Sequence, residues 1–119
     1  MGPKTILADD SGVMRKIILR ALNALEVTDV TEAVDGAEAL EFFKAESFDL
    51  VLSDWNMPNM SGLELVTALR AEGNEVPFGF VTSESTAEQF AAGIGAGAAF
   101  LLSKPFTAED LAANLGAIL

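Results

Sequence analysis

The chain contains no cysteine and no histidine. The first absence excludes a disulfide scaffold and a thiolate metal site, and it suits a reducing compartment. Together the two absences remove the usual ligands of zinc and copper. Bases are also scarce: seven lysines and arginines stand against 18 aspartates and glutamates, a formal net charge of −11. Such a surface repels phosphate backbones and anionic bilayers, so neither nucleic acid nor membrane is an expected partner. No apolar run is long enough to span a bilayer, and the opening "MGPKTILADD" reaches two acids where a secretory leader would stay apolar. The expectation is a cytoplasmic monomer.

What is present is a chain of 119 residues, half of them apolar. That is enough for one hydrophobic core and too little for two, so a single domain over 1–119 is expected, with no output domain after it. Short apolar runs fall at 5–8, 27–34, 50–53, 76–81 and 99–102. Between them, apolar residues recur at helical spacing. Val13, Met14, Ile17, Ile18, Ala21, Leu22 and Leu25 form one stripe behind a cap at Asp10 or Ser11. Ala37, Leu40 and Phe43 follow "VDGAEAL"; Leu63, Val66 and Leu69 follow "NMSG". Phe90, Ala91 and Ile94 mark a fourth helix, and Leu111, Leu115 and Ile118 a fifth capped by Thr107. The fourth is weakened by three glycines in "FAAGIGAGAA", each costing about 1 kcal/mol relative to alanine, and is expected to be short or mobile. Five strands too apolar for a wet face, alternating with five helices, give an α/β fold with a parallel sheet covered on both sides.

Ligands of an open parallel sheet bind outside the carboxyl ends of its strands. Strand one exits at Asp9 and Asp10, strand three at Asp54, strand four at Thr82 and strand five at Lys104 and Pro105. Glu32 and Asp35, after strand two, are set aside as turn and surface residues. Each of these features is commonplace alone: "DD" caps helices, and "KP" ends strands. Four of them on one sheet edge form a constellation. Three clustered carboxylates repel one another and need counter-charge, which Lys104 supplies in part and a hard divalent cation supplies better. Mg²⁺ is the expected metal, with a main-chain carbonyl near Asn56 as a further ligand. A carboxylate, a metal, a lysine and a hydroxyl together suit phosphoryl transfer, with Asp54 as nucleophile and Thr82 donating to a phosphoryl oxygen.

The segments "ADDSGVMRKIILRAL", "DLVLSDWNMPNMSGLEL", "FVTSES" and "LLSKPFTAEDL" resemble response-regulator receiver domains, most closely the single-domain chemotaxis type. The likeness runs from Lys4 to the C-terminus. It implies a three-layer (βα)5 doubly wound sheet of flavodoxin-like order 2-1-3-4-5. It implies that Asp54 takes phosphate from a histidine kinase in a two-component system. Asp10 would bind Mg²⁺ directly, Asp9 mostly through water, and Asn56 through its backbone carbonyl, while Thr82 and Lys104 contact the phosphoryl group. Asn56 and Glu84 would tune dephosphorylation, and Lys104–Pro105 would be cis.

Two departures stand out. The family's switch pairs the hydroxyl, here Thr82, with an aromatic three residues before the lysine; that position is Leu101. Phe100 is adjacent and on the opposite side of the strand, so it is no substitute. The usual output face, formed by the fourth helix, fifth strand and fifth helix, also lacks lysines. From Glu84 onward the only base is Lys104. A downstream protein partner would meet apolar contacts there, at Phe90, Phe106 and Ala113, or bring a basic surface of its own. The expected function is therefore a phosphorylation-controlled binding module that turns over no separate substrate. The alternatives are a phosphate relay to a histidine phosphotransfer protein, a small Mg²⁺-dependent phosphohydrolase, and a receiver-like protein that never takes phosphate.

Overall fold

The computed structural model describes residues 2–83 and 85–118. Five strands alternate with five helices: β1 (Thr5–Ala8), α1 (Gly12–Ala24), β2 (Val30–Ala33), α2 (Gly36–Ala45), β3 (Leu50–Ser53), α3 (Gly62–Ala71), β4 (Phe78–Thr82), α4 (Ala87–Gly95), β5 (Phe100–Ser103) and α5 (Ala108–Gly116). All strand pairs are parallel, in the order β2-β1-β3-β4-β5. β1, β3 and β4 are buried along their whole length, as strands covered on both faces must be. None of the helices among the described residues is long and apolar enough to cross a membrane.

Alternate residues of each strand feed two cores. Leu7, Leu50, Leu52, Val81 and Phe100 face α1 and α5, where they meet Ile18, Leu22, Leu111 and Leu115. Ile6, Val51, Phe78 and Phe80 face α2 and α3, where they meet Ala39, Leu65, Val66 and Leu69. Every helix starts at the carboxyl edge of the sheet with a side-chain cap: Ser11, Asp35, Ser61, Thr86 and Thr107.

Three strands have other limits than the apolar runs suggest. β2 starts at Val30 because Glu26, at φ 64°, ends α1, and Val27 folds back with its N–H on the Leu22 carbonyl at 2.9 Å. β4 starts at Phe78 because Pro77 has no N–H to give and Val76 donates to the Asn74 side chain instead. β5 is displaced by one residue to Phe100–Ser103.

Two helices also present a different face. In α1 only Ile18 and Leu22 are buried, while Val13 and Ile17 are 72% and 49% exposed. At about 100° per residue those two lie roughly 140° and 100° from Ile18, beyond the arc that the sheet and α5 cover. In α4 the apolar pair Phe90 and Ile94 points outward and the sole buried residue is Gly93. A Cβ at Gly93 would lie 3.0 Å from the Phe80 ring and 3.3 Å from Trp55, so a bare backbone is what packs there. Phe106, by contrast, is half-buried against the α1/α5 core.

Candidate functional site

The register of β1 with β3 pairs Ala8 with Ser53, which brings the next residues, Asp9 and Asp54, level at the sheet edge. The Asp54 N–H continues the ladder onto the Ala8 carbonyl at 2.8 Å. Asp9, Asp10 and Asp54 each bring one carboxylate oxygen into a cluster whose atoms all lie within 4.8 Å of one another. Lys104 reaches this cluster from the end of β5. Its Nζ donates to Asp9 Oδ2 at 2.9 Å and to Asp54 Oδ2 at 3.3 Å.

The three acids differ in depth and in tethering. The Asp9 side chain is 1% exposed, and its second oxygen accepts the Ser11 N–H at 2.9 Å. The Asp54 side chain is 14% exposed, with Oδ1 accepting the Trp55 N–H at 2.7 Å. Asp10 is exposed, and none of the described residues donates to its carboxylate. The site thus opens outward from a buried ion pair to a free acid. Lys104 at 10% exposure is the cation that makes this burial tolerable, since an unpaired buried carboxylate is costly.

The loop after Asp54 is drawn tightly onto it. Gly62 donates its N–H to the Trp55 carbonyl at 2.9 Å, and a Cβ at Gly62 would collide with the Asp54 carbonyl oxygen. Only glycine allows α3 to begin so close to the acid. Trp55 lies over Phe80 with ring centroids 4.7 Å apart, and Asn56 is exposed at the mouth. Thr82, 1% exposed, closes β4, and the Lys104 N–H donates to its carbonyl at 2.8 Å. The Lys104–Pro105 peptide is cis. Glu84 lies outside the described residues.

Leu101 is half-buried on the same face as Phe80. Phe100 is on the opposite face with its ring over Gly79, as its position next to Leu101 requires. The donor set at the edge consists of oxygens alone. Three carboxylates with an open side fit a small hard cation such as Mg²⁺, which takes few protein ligands and keeps its waters.

Two features lie outside what residue spacing suggested. Asp35 is no surface residue but 6% exposed; it caps α2 by accepting the Glu38 N–H at 2.8 Å and receives Asn59 Nδ2 at 2.7 Å. The Asn59 amide and, next, the Glu38 N–H hold its carboxyl below the usual carboxylate range, against the effect of burial. Glu32, also set aside, holds Arg15 at 3.0 Å, and Arg15 in turn donates to the Asp9 carbonyl at 2.7 Å. An arginine one turn into the helix that follows an acid pair was the available signal.

The family model for the response regulator receiver domain matches residues 5–116. The chain is 38% identical over 110 residues to the chemotaxis protein CheY of Pseudomonas aeruginosa, covering 91% of this chain and 89% of that protein. It is 38% identical over 117 residues to the chemotaxis protein CheY-3 of Vibrio cholerae, covering 97% and 90%. The solved structure of the chemotaxis response regulator CheY4 of Vibrio cholerae matches with a TM-score of 0.88 at 34% identity, over the full length of both chains. With its sheet order, its acid edge and these relatives in agreement, the chain belongs to the response regulator receiver domain family.

Proposed function

We propose that this chain is a chemotaxis-type phosphoacceptor switch in which Asp54 takes a phosphoryl group from a histidine kinase. The free face of the Asp54 carboxylate attacks phosphorus, a P–O bond forms as the P–N bond to the kinase imidazole breaks, and the imidazole leaves with the electron pair. Lys104, already shared between Asp9 and Asp54, turns its ammonium to the new phosphoryl oxygens. The Thr82 hydroxyl donates to a second oxygen. Mg²⁺, held by Asp9, Asp10, Asp54 and the Asn56 carbonyl, would neutralise charge on the transferring group. By the family resemblance, Asn56, two residues after Asp54, and the position of Glu84, two after Thr82, are the ones that would set how readily water reaches the acyl phosphate.

The product carries about two negative charges at Asp54, about one more than the carboxylate it replaces, and moves them outward onto the phosphoryl oxygens. Thr82 moves toward them, and the face built from α4, β5 and α5 changes its fit for a downstream protein. Leu101 repacks in place of a switching aromatic. No separate substrate is turned over.

The observation that carries this reading is the Lys104 ammonium lying between two carboxylates, one buried and one partly open, beside a third that is free. Intact-mass measurement after incubation with acetyl phosphate and Mg²⁺ tests it. Wild type should gain one base- and hydroxylamine-labile phosphoryl increment, absent when a chelator is added beforehand; Asp54→Asn should gain none. No increment in wild type, or an equal one in Asp54→Asn, overturns the reading.

A further inference from the structure

We propose that Arg15 is a positioning residue for the cation site: it fixes Asp10 by holding the peptide that joins Asp9 to Asp10. This rests on the reading of the acid edge as a Mg²⁺ site.

The guanidinium of Arg15 has two anchors. Nε donates to Glu32 Oε1 at 3.0 Å, and Nη1 donates to the Asp9 carbonyl at 2.7 Å. Glu32 stands on β2 opposite Leu7 of β1, so the first anchor is part of the sheet. The second is the carbonyl of the Asp9–Asp10 peptide, a planar unit whose orientation sets where the Asp10 Cα lies. Arg15 therefore braces the peptide between the acids against the edge strand. Its side chain is 17% exposed beside a 43% exposed Glu32, lower than an ordinary surface pair needs.

The brace matters because the acids are tethered unequally. Asp9 has Lys104 and the Ser11 N–H on its carboxylate, and Asp54 has Lys104 and the Trp55 N–H. Asp10 has no such donor among the described residues, yet its carboxylate sits within the 4.8 Å cluster, against the repulsion of the other two. Among the described residues, its tether is therefore through the backbone rather than through a donor on its carboxylate. Arg15 supplies the hydrogen bond from a side chain that keeps this backbone from turning the acid outward.

Arg15 is also a cation, and this makes the test discriminating. Mg²⁺ is titrated into metal-free protein, with calorimetry and the fluorescence of Trp55 as readouts and thermal melting in chelator as the measure of fold. In Arg15→Met we expect the Mg²⁺ affinity to fall about 3–10-fold, less than the ~10–100-fold typical of groups bonded directly to a metal ligand. If the residue acted through its charge alone, its removal would tighten cation binding, and that outcome overturns the proposal. Unchanged affinity with a lower melting temperature overturns it too, leaving Arg15 a structural brace. Arg15→Lys keeps the charge but cannot span both anchors; it should weaken binding by a smaller factor, and wild-type affinity in this variant would also refute positioning. Should Arg15→Met fail to fold, Arg15→Lys decides. Wild-type protein that shows no Mg²⁺ saturation removes the cation reading and this inference together, whereas saturable wild-type binding with equal Arg15→Met affinity removes the inference alone.

Discussion

α3 and α4 have the same place in the chain's logic and opposite attachments. Each follows a strand that delivers a site residue, Asp54 or Thr82, and each begins with a reciprocal capping box, Ser61 with Glu64 and Thr86 with Gln89. α3 then buries Gly62, Leu65, Val66 and Leu69. α4 buries Gly93 and leaves Phe90 and Ile94 outside. At its far end α4 is strapped to α3 by Arg70, whose Nη2 donates to the Gly97 carbonyl at 2.7 Å. The difference teaches that capping starts a helix and burial anchors it. On the proposed reading, the acid that would receive the phosphoryl group stands against a fixed wall and the hydroxyl beside a loosely seated one, the arrangement a switch needs.

The comparison breaks most readily at the core. Leu69→Ala should cost about 3 kcal/mol in a denaturant melt, in the range for a fully buried leucine, while Ile94→Ala, already 38% exposed, should cost less than about 1 kcal/mol. Equal losses would mean that α4 is as firmly held as α3.

The α3 side has a second brace at Asp35, which caps α2 and ties Asn59 of the loop before α3, while the Gly36 N–H reaches the Met60 carbonyl at 3.0 Å. Asp35→Ala should cost about 1 kcal/mol near neutral pH. The folded carboxyl titrates below its ordinary value, so this contribution is complete above about pH 4 and is lost as pH falls through the lower folded value. Melts between pH 7 and 3 should show the gap between wild type and Asp35→Ala narrowing only at the acid end. A gap that widens there contradicts the assignment.

The smallest effect separates two glycines of α4. Gly95 has nothing within 4 Å of a built Cβ, so Gly95→Ala should stabilise by about 0.5 kcal/mol. Gly93→Ala gains the same propensity but presses a methyl onto the buried ring of Phe80, and it should lose about 1 kcal/mol net. The same sign for both would show that α4 rides freely over that ring.

Much of this architecture is legible in residue order. β1 and β3 fall where their apolar runs fall, because each is buried along its length and an aspartate, Asp9 or Asp54, marks its exit at once. The acids are legible because a parallel sheet delivers strand-end residues to one edge. What periodicity could not give is which face of an apolar helix is turned inward. Spacing places Phe90 and Ile94 on one apolar stripe without saying which way it points, and Gly93 lying against Phe80 and Trp55 is what leaves that stripe outside. Long side chains are equally opaque: Arg15 finds Glu32 and the Asp9 carbonyl only once β2 is placed beside β1. Asp35 reads as a turn residue from its neighbours in sequence, because its partner Asn59 is 24 residues away.

One asymmetry among the helix starts has a further consequence. α2, α3, α4 and α5 each carry an acid in the first turn, among them Glu38, Glu64, Glu88 and Asp110; α1 carries none. The aligned peptide dipoles of a helix leave about half a positive charge at its beginning, and in four helices a local side chain absorbs it. In α1, which opens directly behind Asp9 and Asp10, that partial charge is left to the aspartate pair. The rim therefore owns a cationic feature made of main chain, one that exchanging charged side chains cannot erase.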